Sequence, residues 1–406
     1  MMTQIEGSKA FQVVFQIHSH YSNFMDKNKK TPRVLQIVPA LDMGGVERGA
    51  LDLAIFLKKK GASPVIASCG GRLVSVLRKH EIIHEYLPLN SKNPFTIWIN
   101  SIRLASLIRK HNINIIHVRS RAPAWSAYLA AKKTRTSLVT TFHGAYSFQG
   151  KLKKFYNSVM TKGRKVIAVS KFMAQHIEKE YGLNPKKIST IHRGVDFNIF
   201  DPERVTELRI EALMNQLQLP DDKFIILLPG RLTRLKGHAV LLEALSRLQR
   251  KDWICLFVGA EKNKAYVHEL EQQSTTYGFR DRLYIVGECK DMPALYKLAS
   301  LVICPSSQPE SFGRTAAEAS AMGSIVIASD HGGFKEIIED GKTGWLFPSE
   351  DSRSLAVRIE NALNLSAAER KSMGNAGIKN VRHQFDNETM FRKTLKVYHD
   401  ILTPVS

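Results

Sequence analysis

From Arg33 onward, short runs rich in β-branched residues alternate with stretches of helical periodicity, and this rhythm limits the possible folds more than any other feature of the chain. The runs Val34–Val38, Pro64–Ser68, Ile113–Val118, Ser137–Thr141 and Lys165–Val169 are strand-sized, with amphipathic segments such as Val46–Lys60 between them. Repeated strand–helix–strand units specify a parallel, doubly wound sheet. The rhythm fails over Gly194–Pro202, where Gly and Pro punctuate a segment with neither period, and resumes at Phe224–Pro229. Further strands are expected at Ile254–Val258, Leu283–Val286, Leu301–Cys304, Ile325–Ala328 and Trp345–Phe347. The predicted fold class is α/β, with two Rossmann-like doubly wound domains, 33–199 and 200–385, facing a cleft. A tail, 1–32, precedes them, and a C-terminal helix within 386–406, about Asn387–Leu402, is free to cross back to the first domain. Within the tail, the apolar piece Ala10–Ile17 lacks the flanks of a secretory signal, and Met25 marks a candidate start ahead of the first strand.

With 406 residues, 44% of them hydrophobic, the chain can fill two substantial cores. Its charge of +22 is unevenly spread: residues 1–200 hold 32 basic and 10 acidic side chains, residues 201–406 hold 27 of each. One lobe therefore faces an anionic partner, with nucleic acid, an anionic membrane surface and a phosphorylated acceptor as the candidates. The four cysteines form no C-x-x-C pair, which fits a reducing cytoplasm, and no apolar run approaches the ~20 residues of a membrane span. No Asp-x-Asp pair and no cluster with metal-ligand spacing occurs, so no metal is expected.

In open α/β sheets ligands bind at the carboxyl ends of the strands, so chemistry is sought in the loops that follow them. Gly44 and Gly45 follow the first strand at the entrance to a helix, where a phosphate can approach backbone amides; an ordinary tight turn would look the same. Arg231 and Lys236 bracket the loop after Phe224–Leu228, as a diphosphate would require or as a solvated basic loop would have them. The sharpest signal follows Leu301–Cys304. Glu310 lies in a loop and Glu318 in the next helix, and eight helical residues rise ~12 Å, the reach of a sugar plus diphosphate. Between them, amides near Gly313, Arg314 and Thr315 point over the helix end. A helix-dipole Glu and a solvent-facing Glu would show the same spacing. His143, directly after Ser137–Thr141, faces the cleft as a hydrogen-bonding group or serves the fold alone.

The Glu310…Glu318 element, the Pro229–Gly237 loop, the Gly44–Gly45 turn and the stretch Asp340–Leu346 together resemble the retaining nucleotide-sugar glycosyltransferases of GT-B architecture, family 4-like and group 1, over about residues 33–400. The resemblance implies that Glu310 holds the donor sugar, Glu318 the ribose, and Arg231 and Lys236 the diphosphate leaving group. It implies further donor contacts at Gly45, at backbone near Val286, and along Phe312, Gly313, Arg314 and Thr315, with His143 near the reacting carbon. It also implies front-side attack with the leaving phosphate accepting the acceptor's proton, no cofactor, and a nucleotide-sugar donor.

The basic lobe carries Arg119 and Arg121, Lys132, Lys133 and Arg135, then Lys151, Lys153 and Lys154, with Trp98, Trp125, Phe155 and Tyr156 nearby in sequence. This mixture suits a cytoplasmic enzyme resting on the inner face of an anionic membrane and receiving a lipid-linked, oligosaccharide or lipopolysaccharide-type acceptor. A sugar-nucleotide epimerase would use the same cleft without transfer. A nucleic-acid-binding protein would account for the charge but leaves Glu310 and Glu318 without a task, and no nucleic-acid motif is present, so no nucleic acid is expected.

Overall fold

A computed structural model describes residues 31–403 except 43, 147–149 and 262. Most of the predicted tail, with Ala10–Ile17 and Met25, lies outside the described residues. The first sheet comprises β1 (Arg33–Ile37), β2 (Ser63–Ser68), β3 (Ile83–Tyr86), β4 (Ile115–Val118), β5 (Ser137–Phe142), β6 (Lys165–Ala168) and β7 (Ile188–Thr190). The second comprises β8 (Phe224–Pro229), β9 (Trp253–Val258), β10 (Leu283–Gly287), β11 (Leu301–Cys304), β12 (Ile325–Ser329) and β13 (Trp345–Phe347). Their orders, β3-β2-β1-β4-β5-β6-β7 and β10-β9-β8-β11-β12-β13, are those of two doubly wound sheets with all pairs parallel. Helices cover both faces, which is why central strands such as Ile225–Pro229 are buried along their length. The order reverses between β1 and β4 and again between β8 and β11, and these two switch points open toward one cleft.

β3 and β7 were not apparent as strands in the sequence. Both are edge strands, short and only partly buried, so their side chains lack the apolar run of a central strand. The last helix, Asn387–Leu402, is capped by Asp386, which accepts from the Thr389 amide. It crosses back to the first lobe. Phe391, Val397, Tyr398 and Ile401 pack with Val34, Leu53, Phe56 and Ile115, and the Phe56 and Phe391 rings lie 5.4 Å apart. The Tyr398 hydroxyl reaches His117 Nδ1 at 2.6 Å, and His117 Nε2 meets Thr141 Oγ1 at 2.7 Å, tying this helix to the floor of the cleft. Among the described residues, no helix is long and apolar enough to cross a membrane.

Candidate functional site

Two helix starts meet at the cleft. The helix Gly45–Lys59 follows β1 with Gly44 as its N-cap, and the helix Arg314–Ala321 follows β11 with Gly313 as its N-cap; among the described residues, neither has a side-chain cap. Their first amides are thus available to an anion, in the positive field of the helix end. Gly313 has φ +98°, and a Cβ there would collide with the Phe334 ring, so no other residue fits this entrance without shifting the lobe. Gly45 keeps a different approach open. A Cβ on it would run into the Arg314 guanidinium from the other lobe and meet Arg193 Nη2 at 3.1 Å.

A cavity of ≈ 120 Å³ lies between these ends, lined by both lobes. Gly45, His143, Arg314 and Glu318, all expected at the site, border it, together with Arg119 and Arg193. Glu318 faces inward: its Oε1 lies 3.3 Å from Arg314 Nε, and its Oε2 accepts from the Tyr296 hydroxyl at 3.3 Å. Burial pushes its carboxyl above the usual range, against the opposing pull of Arg314, the Tyr296 bond and Arg193. His143 has both ring nitrogens buried and without partners among the described residues. Burial, reinforced by Arg119, Arg193 and His117, holds its pKa far below the usual value, so the imidazole is neutral at pH 7.

Glu310 and Lys236 form a pair at 2.6 Å, and Ser306 Oγ donates to the same Glu310 oxygen at 3.0 Å. Arg231, expected to converge with Lys236 on one anion, is exposed and forms no ion pair among the described residues, while Lys236 is held by Glu310. Thr315 Oγ1 rests 3.6 Å from Cys304 Sγ at the second helix start. Val286 lies on the edge strand β10, beside Gly287, whose carbonyl accepts from the Gly259 amide at 2.6 Å. Phe312 is 3% exposed, its ring 5.5 Å by centroid from Phe385 and 6.4 Å from His192, so what it presents at the Gly313 helix start is backbone.

The sequence did not reveal the residues that join the lobes. Ser311, next to Glu310, accepts from the Ala145 amide at 3.1 Å through its hydroxyl and from Ser170 Oγ at 2.6 Å through its carbonyl. Glu336 reaches across to the start of the helix Lys171–Tyr181, where its oxygens accept from the amides of Lys171 and Phe172 at 2.8 Å each, and it meets His192 Nε2 at 2.7 Å. Arg193, beside His192, donates to the Gly45 carbonyl at 2.7 Å. The available signal was positional: His192 and Arg193 follow a strand, but β7 is three residues long and does not stand out.

Comparison with known proteins places this geometry in context. Residues 43–198 match the family Glycosyltransferase Family 4, and residues 209–380 match Glycosyl transferases group 1. The glycosyltransferase from Rickettsia africae superposes with a TM-score of 0.86 at 40% identity, over 92% of this chain and 99% of that one. Anabaena Alr3699/HepE, solved with UDP-glucose, superposes with a TM-score of 0.78 at 22% identity, over 91% and 99%, and shares the fold. The D-inositol 3-phosphate glycosyltransferase of Xylanimonas cellulosilytica is 29% identical over 253 residues, 59% of this chain and 60% of the relative's length.

Proposed function

Since the chain belongs to the glycosyltransferases of GT-B fold, family 4-like and group 1, we propose that it moves a hexose from a nucleoside-diphosphate sugar to an anionic lipid-linked or lipopolysaccharide-type acceptor, with retention of configuration and without a metal or other cofactor. The observation that carries this reading is the meeting of two uncapped helix starts across the cleft, with Glu310 in the loop before one of them and Glu318 a turn into its helix. Bound UDP-glucose in the HepE relative supports the donor class.

In this reading Glu318 accepts from the ribose hydroxyls, and the amides after Gly44 and Gly313 take the diphosphate oxygens. Lys236 and Arg231 neutralise charge as the bond from the anomeric carbon to the phosphate oxygen breaks. Glu310 exchanges its Lys236 partner in part for a donor-sugar hydroxyl. The acceptor oxygen attacks from the leaving-group face, its new bond to the anomeric carbon forms there, and its proton passes to the departing phosphate. His143, neutral at pH 7, orients the reacting sugar by hydrogen bonding. Backbone near Val286 meets the base.

The acceptor and the membrane surface belong to the basic lobe. The helix Lys151–Ser158 presents Leu152, 86% exposed, and Phe155, 65% exposed, among its lysines, a composition suited to an anionic interface at the cytoplasmic side. A thermal-shift panel of nucleotide sugars tests the donor, because a ligand that binds only the native state raises the melting temperature. Nucleoside diphosphate released only when acceptor is added marks transfer; release or isomer formation without acceptor refutes it.

A further inference from the structure

The cleft holds more positive charge than the expected Arg231 and Lys236 provide. Arg193 from the first lobe and Arg314 from the second both lie over Gly45, at the open end of a helix. The carboxylates around it are Glu318, held by Arg314 and Tyr296, Asp52, held by Arg48 at 3.0 Å, Asp196 on the cavity wall, and Glu47 beside the Gly44 turn. Behind them Arg119, 7% exposed, uses Nη1 to hold the Gly49 carbonyl and Gln36, while its buried Nε has no partner among the described residues. His143 adds two unpartnered buried nitrogens to the same cavity. Burial first, then repulsion from Arg314 and Arg119, lowers the Arg193 pKa to about 9, which still leaves the guanidinium charged at pH 7. Buried polar groups that lack partners, beside two guanidinium groups that converge on an uncapped helix start, mark the place of an anion.

We propose that Arg193 binds the diphosphate of the donor from the first lobe, opposite Arg314 and against the Gly45 helix start, with Arg119 fixing that helix from behind. This rests on the donor reading above and adds to it a ligand on the acceptor-side lobe. Arg193 already spends one nitrogen on the Gly45 carbonyl, so its planar fork can hold the helix start and a phosphate oxygen together, which a lysine cannot do in the same geometry. An anion at this point touches both lobes, so binding it also favours their approach.

The test is titration of the full chain, wild type against Arg193→Met and Arg193→Lys, with UDP, GDP, UMP and inorganic pyrophosphate. Circular dichroism and melting temperature establish that each variant is folded. The expected result is a loss of about tenfold to a hundredfold in affinity for pyrophosphate and for the preferred nucleoside diphosphate in Arg193→Met, with a smaller loss for UMP and an intermediate one in Arg193→Lys. Folded Arg193→Met that binds both probes as the wild type does overturns the inference. Should Arg193→Met not fold, wild-type affinity in Arg193→Lys overturns it equally. Pyrophosphate binding that depends on Arg193, in a wild type that binds no nucleoside diphosphate, would refute the donor reading and keep the anion site; a wild type that binds none of the probes refutes both.

Discussion

Glu336→Ala should loosen the closed arrangement of the lobes while leaving each lobe's core intact. All three of its cross-lobe donors, the amides of Lys171 and Phe172 and the His192 ring, belong to the first lobe, and Glu336 itself sits on the short second-lobe helix Phe334–Ile337. Its side chain is 14% exposed, so solvent screens these bonds weakly. Each hydrogen bond to a charged group is worth about 1.5–3 kcal/mol, but alanine leaves room for water at the two amides, and the Ser170 hydroxyl still caps the Met173 amide. The net cost is then about 2–4 kcal/mol, less than the sum, or roughly a thirtyfold to several-hundredfold shift toward open forms. Closure also holds Ser311 against Ala145 and Ser170, so opening separates the His143 loop from Glu310. The measurement is small-angle scattering for the lobe arrangement, combined with kcat and donor KM. A lower kcat, an expanded particle and a weakened donor affinity are expected, because the donor binds across both lobes, with Glu336→Gln recovering part of the loss. Wild-type kcat with an unchanged scattering profile in Glu336→Ala would refute the reasoning.

The same carboxylate fixes how the latch responds to pH. Burial alone would raise the Glu336 pKa, but the bonds from His192, Phe172 and Lys171 outweigh it and leave the group below its ordinary 4.5. A depressed carboxylate contributes stability above the unfolded value and loses it as pH falls through the folded one. Glu336 therefore holds the lobes together through neutral pH and releases them only below about 4.5.

Glu318 has the opposite sign: burial raises its pKa, so its charge works against the fold above the raised value, and the penalty fades as pH falls from there toward the ordinary 4.5 and is absent below it. Glu318→Gln should raise the melting temperature at pH 7, lose that advantage in acid, and weaken nucleoside-diphosphate binding; a lower melting temperature at pH 7 contradicts this. Glu310→Ala should abolish transfer while nucleoside-diphosphate binding survives, and retained turnover would remove Glu310 from the donor site. Lys236→Ala or Arg231→Ala should each cost about 2–4 kcal/mol of transition-state stabilisation, with the rate indifferent to EDTA; activity lost in EDTA and restored by Mg²⁺ or Mn²⁺ would show that a metal supplies the missing charge. Neutralising Lys151, Lys153 and Lys154 together should weaken binding to anionic vesicles and slow transfer to a membrane-held acceptor, yet spare a soluble one, each lysine near the surface contributing up to about 1 kcal/mol. Equal loss on both acceptors would assign the cluster to the fold.

What the sequence disclosed and what it hid divide along one physical line. β8 and β11 were legible to within a residue because buried central strands must be apolar on both faces, and Asn387–Leu402 was legible because Phe391, Val397, Tyr398 and Ile401 repeat at helical spacing. The helix starts at Gly45 and Gly313 were legible because each glycine follows a strand and precedes a helical stretch. The pairings across the cleft were not. Glu336 finds His192 over 144 residues of sequence and Ser311 finds Ala145 over 166, contacts that no local period encodes. Lys236 and Arg231 looked alike in the sequence because both follow β8. Only the packed loop shows Lys236 committed to Glu310 and Arg231 exposed, while Arg193, reached through a three-residue edge strand, lies against the Gly45 helix start. Local pattern thus specifies which groups can bind an anion at a strand end, whereas the closing of two lobes selects which of them meet, and that selection lies in long-range contacts whose residues carry no periodic signal of their own.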